Sequence, residues 1–200
     1  MDWGAILANT LGYLLSPITI AYALAATGLA VHFGFAGLLN FGMAGFMALG
    51  GYGYAISILS FGLPWWLAMI VGILAAMLFA LILGIPTLRL RADYLAIATI
   101  AASEIVRLLF TTQVFDRWTN SADGLGGYHG GFRASNPFPA GQYGFGPWTF
   151  NETGLWVRVF GLVMLAIAVF LVWSLMRSPW GRVLKGIRED EDAVRSLGKN

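Results

Sequence analysis

The sequence predicts an all-α, polytopic transmembrane protein with about five spans. Three observations carry this expectation. The 200-residue chain is 58% hydrophobic and only 11% charged, where soluble domains carry about 25% charged residues. Its mean hydropathy is +0.72. After Asp2 no Asp, Glu, Lys or Arg occurs until Arg89. A charge-free run of that length holds several spans of about 20 residues but not one globular core.

Residues 3–15 are apolar but too short to span alone. They extend the first span or lie at the interface, with Pro17 marking a kink. The first full span is expected over 17–33. The second is expected over 40–61, with Gly42, Gly45, Gly50, Gly51 and Gly53 inside it. Their spacing favours close helix packing. The third is expected over 64–88, the fourth over 94–110 and the fifth over 155–176. Between the last two lies a long loop, about 111–154, rich in Gly, Pro and aromatic residues. It either meets an external partner or caps a pathway, or is a variable decoration.

Basic residues set the orientation. With the C-terminus in the cytoplasm, Arg89, Arg91, Arg177, Arg182, Lys185, Arg188, Arg195 and Lys199 all fall inside. Arg117 and Arg133 fall outside, and Arg158 sits at the outer end of the fifth span. This bias follows the positive-inside rule and leaves the N-terminus outside. The first residues, MDWG, lack the positive region of a signal peptide.

Few residues carry candidate chemistry. The stretch GFAGLLNFG over 34–42 interrupts the hydrophobic run with three glycines and Asn40. Broken backbone at membrane depth is tolerated only inside protein or along a wet cavity, which makes this a candidate pathway element. An ordinary turn or a close helix contact is the competing reading. Glu104 and Arg107 are three residues apart on one face of the fourth span. A charge at a helix centre costs roughly 2.5–3.5 kcal/mol on insertion scales. The pair is either a polar element of a pathway or a structural ion pair. Arg89, Arg91 and Asp93 form a short inside turn, with Asp93 able to cap the fourth helix.

Cysteine is absent, which excludes disulfides and thiolate metal sites. His32 and His129 stand apart from any carboxylate cluster, so no metal site is expected. No phosphate-binding loop, nucleophile elbow or zinc-protease motif occurs. No basic patch with interleaved aromatics occurs either, so nucleic acid is not expected as a partner.

Residues 178–200 differ from everything before them. They hold Arg182, Lys185, Arg188, Arg195 and Lys199 together with Glu189, Asp190, Glu191 and Asp192. Ser178-Pro179 is a helix start, with Ser as N-cap and Pro in the first turn. Val183, Leu184 and Ile187 lie near one face of that helix. Asp190 can cap a second short helix that ends at Gly198. Two short helices, basic then acidic, would stand on the cytoplasmic side. Four clustered acids argue against an anionic membrane as the main partner of this tail.

Three blocks resemble the LivM-type permease subunits of bacterial branched-chain amino acid ABC importers. They are GFAGLLNFGMAGF over 34–46 with GGY over 50–52, LRLRADYLAIAT over 88–99 with EIVR over 104–107, and WGR over 180–182 with IREDEDA over 187–193 and LG over 197–198. The resemblance implies that the tail docks on an ATPase. Glu191-Asp-Ala193 with Gly198 is similar to the Glu-Ala-Ala…Gly signature of such permeases, with Asp in place of the first Ala and a looser Gly spacing. The implied partners are a second related permease, two cytoplasmic ATPase subunits that bind the ATP, an external solute-binding protein and the lipid bilayer. No cofactor is implied for this chain. The implied location is the bacterial inner membrane, with the C-terminal segment cytoplasmic.

The family usually continues beyond such a tail with further spans, so the chain is expected to be a truncated permease. GLGGY over 124–128 lacks the Ile-Pro that often follows the corresponding Gly-Leu, and the outer loop is longer than usual. Urea and short-chain amide importers share this permease type. The expected division is a transmembrane permease domain over 1–176 and a coupling segment over 177–200. Coupling is assigned to Gly181, Arg182, Arg188, Glu189, Asp190, Glu191, Ala193, Leu197 and Gly198. The translocation pathway is assigned to Gly37, Asn40, Gly42, Thr99 and Glu104. Two rival readings remain. A self-contained channel or ion-coupled transporter would need polar groups in several spans, and only Glu104 and Arg107 qualify. A membrane scaffold has no distinguishing motif, and no catalytic constellation supports an enzyme.

Overall fold

The computed structural model describes residues 3–87, 92–146, 148–190, 194 and 196. In chain order the elements are α1 (Trp3–Leu14), α2 (Pro17–Leu29) continuing into a π-helical turn (Ala30–Phe35), α3 (Met43–Leu59), α4 (Trp65–Thr87) and α5 (Ala92–Thr111). Short helical turns follow, among them α6 (Asp116–Thr119) and α7 (Gly130–Ala134). Then come strands β1 (Gln142–Phe145) and β2 (Trp148–Asn151), α8 (Glu152–Arg177) and α9 (Pro179–Glu189).

Among the described residues four helices are long and apolar enough to cross a membrane: Pro17–Phe35, Trp65–Thr87, Tyr94–Thr111 and Glu152–Arg177. Helix α3 is apolar as well and has 17 residues, the lower limit for a span of about 17–25. The protein is thus an all-α polytopic membrane protein. The chain forms two compact units, one from Met1–Ala36 with Ser135–Asn200 and one from Gly37–Ala134.

In the unit of Gly37–Ala134, α3 packs on α4 through backbone. A Cβ on Gly72 would lie 2.6 Å from the Gly50 carbonyl oxygen and 3.3 Å from the Tyr54 nitrogen. A Cβ on Gly53 would lie 3.2 Å from the Gly72 Cα. Ala68, one turn earlier on α4, is fully buried. Without water to drive apolar burial, such close approach gains its stability from dispersion contacts. The other end of the same glycine row faces α5, where a Cβ on Gly45 would lie 3.0 Å from the Ser103 Cα. Replacing Gly72 with Ala is expected to lower the thermal stability of the detergent-solubilised protein by about 1–3 kcal/mol, the usual cost of overpacking. Gly84→Ala, on the same helix with nothing within 4 Å of its Cβ position, should leave stability unchanged or raise it by up to ~1 kcal/mol.

The first half of the expected outer loop belongs to this unit and is covered in aromatic contacts. Tyr128 meets Tyr54 edge-on at 5.9 Å, Phe132 meets Trp65 at 5.4 Å and Trp118 lies 5.9 Å from Phe61. Asn120 and Ser121 take left-handed backbone angles. Asn120 holds the turn by donating from Nδ2 to the Gly124 carbonyl at 2.8 Å.

In the other unit, α2 packs on α8. A Cβ on Gly161 would lie 3.0 Å from Ile20 Cγ2. Arg158 on α8 donates to the Leu15 carbonyl at 2.9 Å and the Gly154 carbonyl at 2.8 Å. Its guanidinium lies 3.8 Å above the Phe150 ring. Antiparallel β1 and β2 pair Gln142 with Asn151 and Phe145 with Trp148. The hairpin leads into α8, whose N-cap Asn151 accepts from the Gly154 N–H at 2.7 Å. Trp148 Nε1 donates to the Leu11 carbonyl at 2.9 Å, tying the hairpin to α1.

Three expectations need correction. Pro17 is the first residue of a new helix rather than a kink within one. Ser16 is extended and its hydroxyl accepts from the Thr19 N–H at 3.1 Å, so a proper N-cap separates α1 from α2. The second span does not start at Asn40, because the backbone is non-helical from there to the start of α3. The loop before α8 contains a hairpin that helical periodicity could not indicate.

Candidate functional site

Between the π-helical turn and α3 the chain is non-helical and is held by a long-range bond from α5. The π turn closes with the Ala36 N–H donating to the Val31 carbonyl at 3.1 Å, a five-residue step wider than an α turn. Gly37 then takes φ +70°, which an L side chain resists. Asn40 is buried at 7% exposure, and its Oδ1 accepts from the Gly42 N–H at 2.9 Å. The Phe41 N–H is bound by Thr99 Oγ1 of α5 at 3.1 Å. Thr99, at 1% exposure, donates its own hydroxyl to the Ala96 carbonyl at 2.9 Å.

Gly42 is required by this junction. A Cβ there would lie 2.9 Å from the Thr99 carbonyl oxygen and 3.2 Å from Asn40 Oδ1. Gly42 and Gly45 on one side meet Thr99 and Ser103 on the other, a four-residue step that keeps both contacts on one face of α5. Four of the five residues assigned to a pathway, Gly37, Asn40, Gly42 and Thr99, therefore share this break. Replacing Thr99 with Val should strand the Phe41 N–H and cost about 1–3 kcal/mol. Thr99→Ser should retain the bond. Thermal unfolding of the two variants in detergent checks the difference.

Glu104 is placed differently. Five residues beyond Thr99, it is turned about 140° around α5. Arg107 Nε donates to its Oε2 at 2.9 Å and Arg107 Nη2 to its Oε1 at 2.6 Å. The two side chains are 53% and 60% exposed. This is the expected i,i+3 ion pair, in bidentate form.

A small cleft of about 270 Å³ lies on α3, between Met47, Gly51 and Tyr52 and the loop residues Leu125 and Tyr128. Nothing in the spacing of those residues pointed to it, because loop and helix meet only in the fold.

Helix α9 is set by its first turn. Pro179 opens it, but the Ser178 hydroxyl turns back and donates to the Leu175 carbonyl at 2.6 Å. The expected forward cap is absent for this reason. Gly181 is buried, and a Cβ there would collide with the backbone of Met176. That contact fixes the bend between α8 and α9.

Val183 and Leu184 are half-buried, whereas Arg182, Lys185, Arg188, Glu189 and Asp190 are exposed. Arg188 Nη1 donates to the Gly34 carbonyl in the π turn at the end of the first span. Lys185 Nζ stands 5.6 Å from the centroid of the Phe35 ring, one residue further on. These links join residues far apart in the chain, and only the fold could bring them together. Beyond Asp190, the Val194 N–H bonds the Asp190 carbonyl at 3.2 Å. Val194 covers Gly186, whose Cβ position is 2.9 Å from Val194 Cγ2. Glu191, Ala193, Leu197 and Gly198 lie outside the described residues, as do Arg89 and Arg91.

Comparison with known proteins agrees with this architecture. The profile of the family described as branched-chain amino acid transport system / permease component matches residues 12–200. The chain is 32% identical over 200 residues to the high-affinity branched-chain amino acid transport system permease protein LivM of Escherichia coli, covering 92% of this chain and 45% of that one. It is 30% identical over 217 residues to the probable branched-chain amino acid transport permease protein LivM of Methanocaldococcus jannaschii, covering 90% and 57%. The chain thus spans about half the length of these relatives. No solved structure matches it significantly. A family profile over nearly the whole chain, on a polytopic helical fold, places this protein in the branched-chain amino acid transport permease family.

Proposed function

We propose that this chain is the membrane-spanning permease subunit of an ATP-driven importer, with branched-chain amino acids as its substrates. The observation that supports it best is the tie between α9 and the end of the first span. Arg188 binds the Gly34 carbonyl, three residues before Gly37 begins the broken stretch. In this reading a push on α9 would reach the π turn, from which the chain continues into Gly37, Asn40 and Gly42. Two ATPases would bind and hydrolyse ATP below, docking on Arg182, Glu189, Asp190 and the following residues, Glu191, Ala193, Leu197 and Gly198 among them. A second related permease would complete the path, and an external binding protein would deliver substrate. The C-terminal segment would face the cytoplasm of a bacterial cell.

In this reading Gly37, Asn40, Gly42 and Thr99 line or gate the path, while Glu104, turned away from Thr99 and paired with Arg107, lies off it. Alternating access would shift the break between two arrangements. Gly181 keeps α9 rigid against α8, so movement of the tail is not absorbed by the bend. No group of this chain is assigned a catalytic step.

Uptake of labelled leucine into cells expressing the complete transporter tests the proposal. Uptake should stop on ATP depletion, persist with a protonophore, and resist competition by excess urea. Uptake abolished by the protonophore but indifferent to ATP would indicate an ion-coupled transporter instead.

A further inference from the structure

Within the unit that joins α2 to α8 and α9, a cleft of about 650 Å³ opens beside the last turns of both spans. That volume lies in the range of about 300–1,000 Å³ typical of ligand sites. One wall carries Ala23 and Ala26 of α2 with Ala30 at the start of the π turn, and the α8 wall carries Val169 and Val172. Apolar walls of this shape suit a hydrocarbon chain.

The end of the cleft is different in kind. Arg177, the last residue of α8, and Lys185 of α9 both line it. Each cation is held over a ring that lines the same cleft, Arg177 at 4.2 Å above Trp173 and Lys185 at 5.6 Å from Phe35. Such contacts position the charged group without neutralising it. Among the described residues no carboxylate lines the cleft. Two cations lining one apolar groove are complementary to one anion attached to one hydrocarbon chain.

We propose that this cleft binds an anionic phospholipid. Its acyl chain lies along Ala26 and Val172 and its phosphodiester is bound by Arg177 and Lys185. Glu189, four residues after Lys185 on the same face of α9, does not line the cleft. The inference needs only that α2 and α8 span a bilayer, and it stands apart from the proposed importer function.

Trp173 is a built-in reporter at the cleft. The chain is reconstituted into equimolar phosphatidylglycerol and phosphatidylcholine vesicles, with bromine on the acyl chains of one lipid or the other. The Trp173 signal is the difference between the native chain and Trp173→Phe. Basic residues near an anionic surface contribute about fivefold each in affinity. Brominated phosphatidylglycerol should therefore quench Trp173 several-fold more than brominated phosphatidylcholine. The preference should vanish in the double variant Arg177→Gln, Lys185→Gln and survive the charge-retaining pair Arg177→Lys, Lys185→Arg. Equal quenching by the two lipids in the native chain would overturn the proposal, as would a preference that persists in the Gln variant. Quenching by neither lipid would show the cleft filled by polypeptide and would overturn it too.

Discussion

Replacing Arg188 with Gln is expected to reduce ATP-driven uptake by about tenfold or more, with insertion and ATP turnover retained. The guanidinium is the described side chain that fastens α9 to the Gly34 carbonyl. Hydrogen bonds from charged donors are worth about 1.5–3 kcal/mol, and 1.36 kcal/mol is tenfold in rate. The bond lies between the tail and the broken stretch, so its loss should separate hydrolysis from movement. Initial uptake and ATP hydrolysis, measured on the same complex, check this. A parallel fall in both would place Arg188 in ATPase docking rather than in transmission. Unchanged uptake would show that the Gly34 contact carries no force.

The second large effect is expected at Gly42. A Val there would press its Cβ toward the Thr99 carbonyl oxygen, 2.9 Å away, and toward Asn40 Oδ1 at 3.2 Å. Neither neighbour can yield easily. One is α5 backbone and the other already accepts the Gly42 N–H. Overpacking of this kind costs about 1–3 kcal/mol. If the break changes shape during transport, that cost falls unequally on its two arrangements, and uptake should drop between about fivefold and 150-fold. Leucine uptake by Gly42→Val, set beside its melting temperature, separates a gating defect from simple unfolding. A variant that melts early but transports normally where still folded would mark the junction as structural only.

Much of this was legible in the sequence because membranes impose a strong rule on composition. A charge-free stretch from residue 3 to 88 leaves little alternative to spans. The boundaries of α4, α5 and α8 followed from hydropathy to within a few residues. The glycine row read as packing, and Gly53 against Gly72 bears that out. The Glu104–Arg107 pair was visible as an i,i+3 spacing.

What stayed hidden depended on distance along the chain. Nothing local announces that Thr99 holds the Phe41 N–H across 58 residues, or that Arg188 reaches Gly34 across 154. The π turn escaped as well, since hydropathy does not distinguish a five-residue step from a four-residue one. The Ser178 hydroxyl satisfied the carbonyl behind it rather than the amides ahead, a choice that composition leaves open. The hairpin over Gln142–Asn151 alternates glycine and aromatics within a loop, where neither period dominates.

The central claim, that α9 transmits force from an ATPase partner, is tested most directly by cross-linking. The chain contains no cysteine, so Glu189→Cys introduces a single thiol on an exposed position of α9. A thiol-to-photoreactive cross-linker is attached in native membranes and the product is identified by mass spectrometry. The account predicts a cross-link to a cytoplasmic ATPase subunit whose yield changes when ATP is added. Cross-linking only to lipid or to another copy of this chain, with no response to ATP, would contradict it.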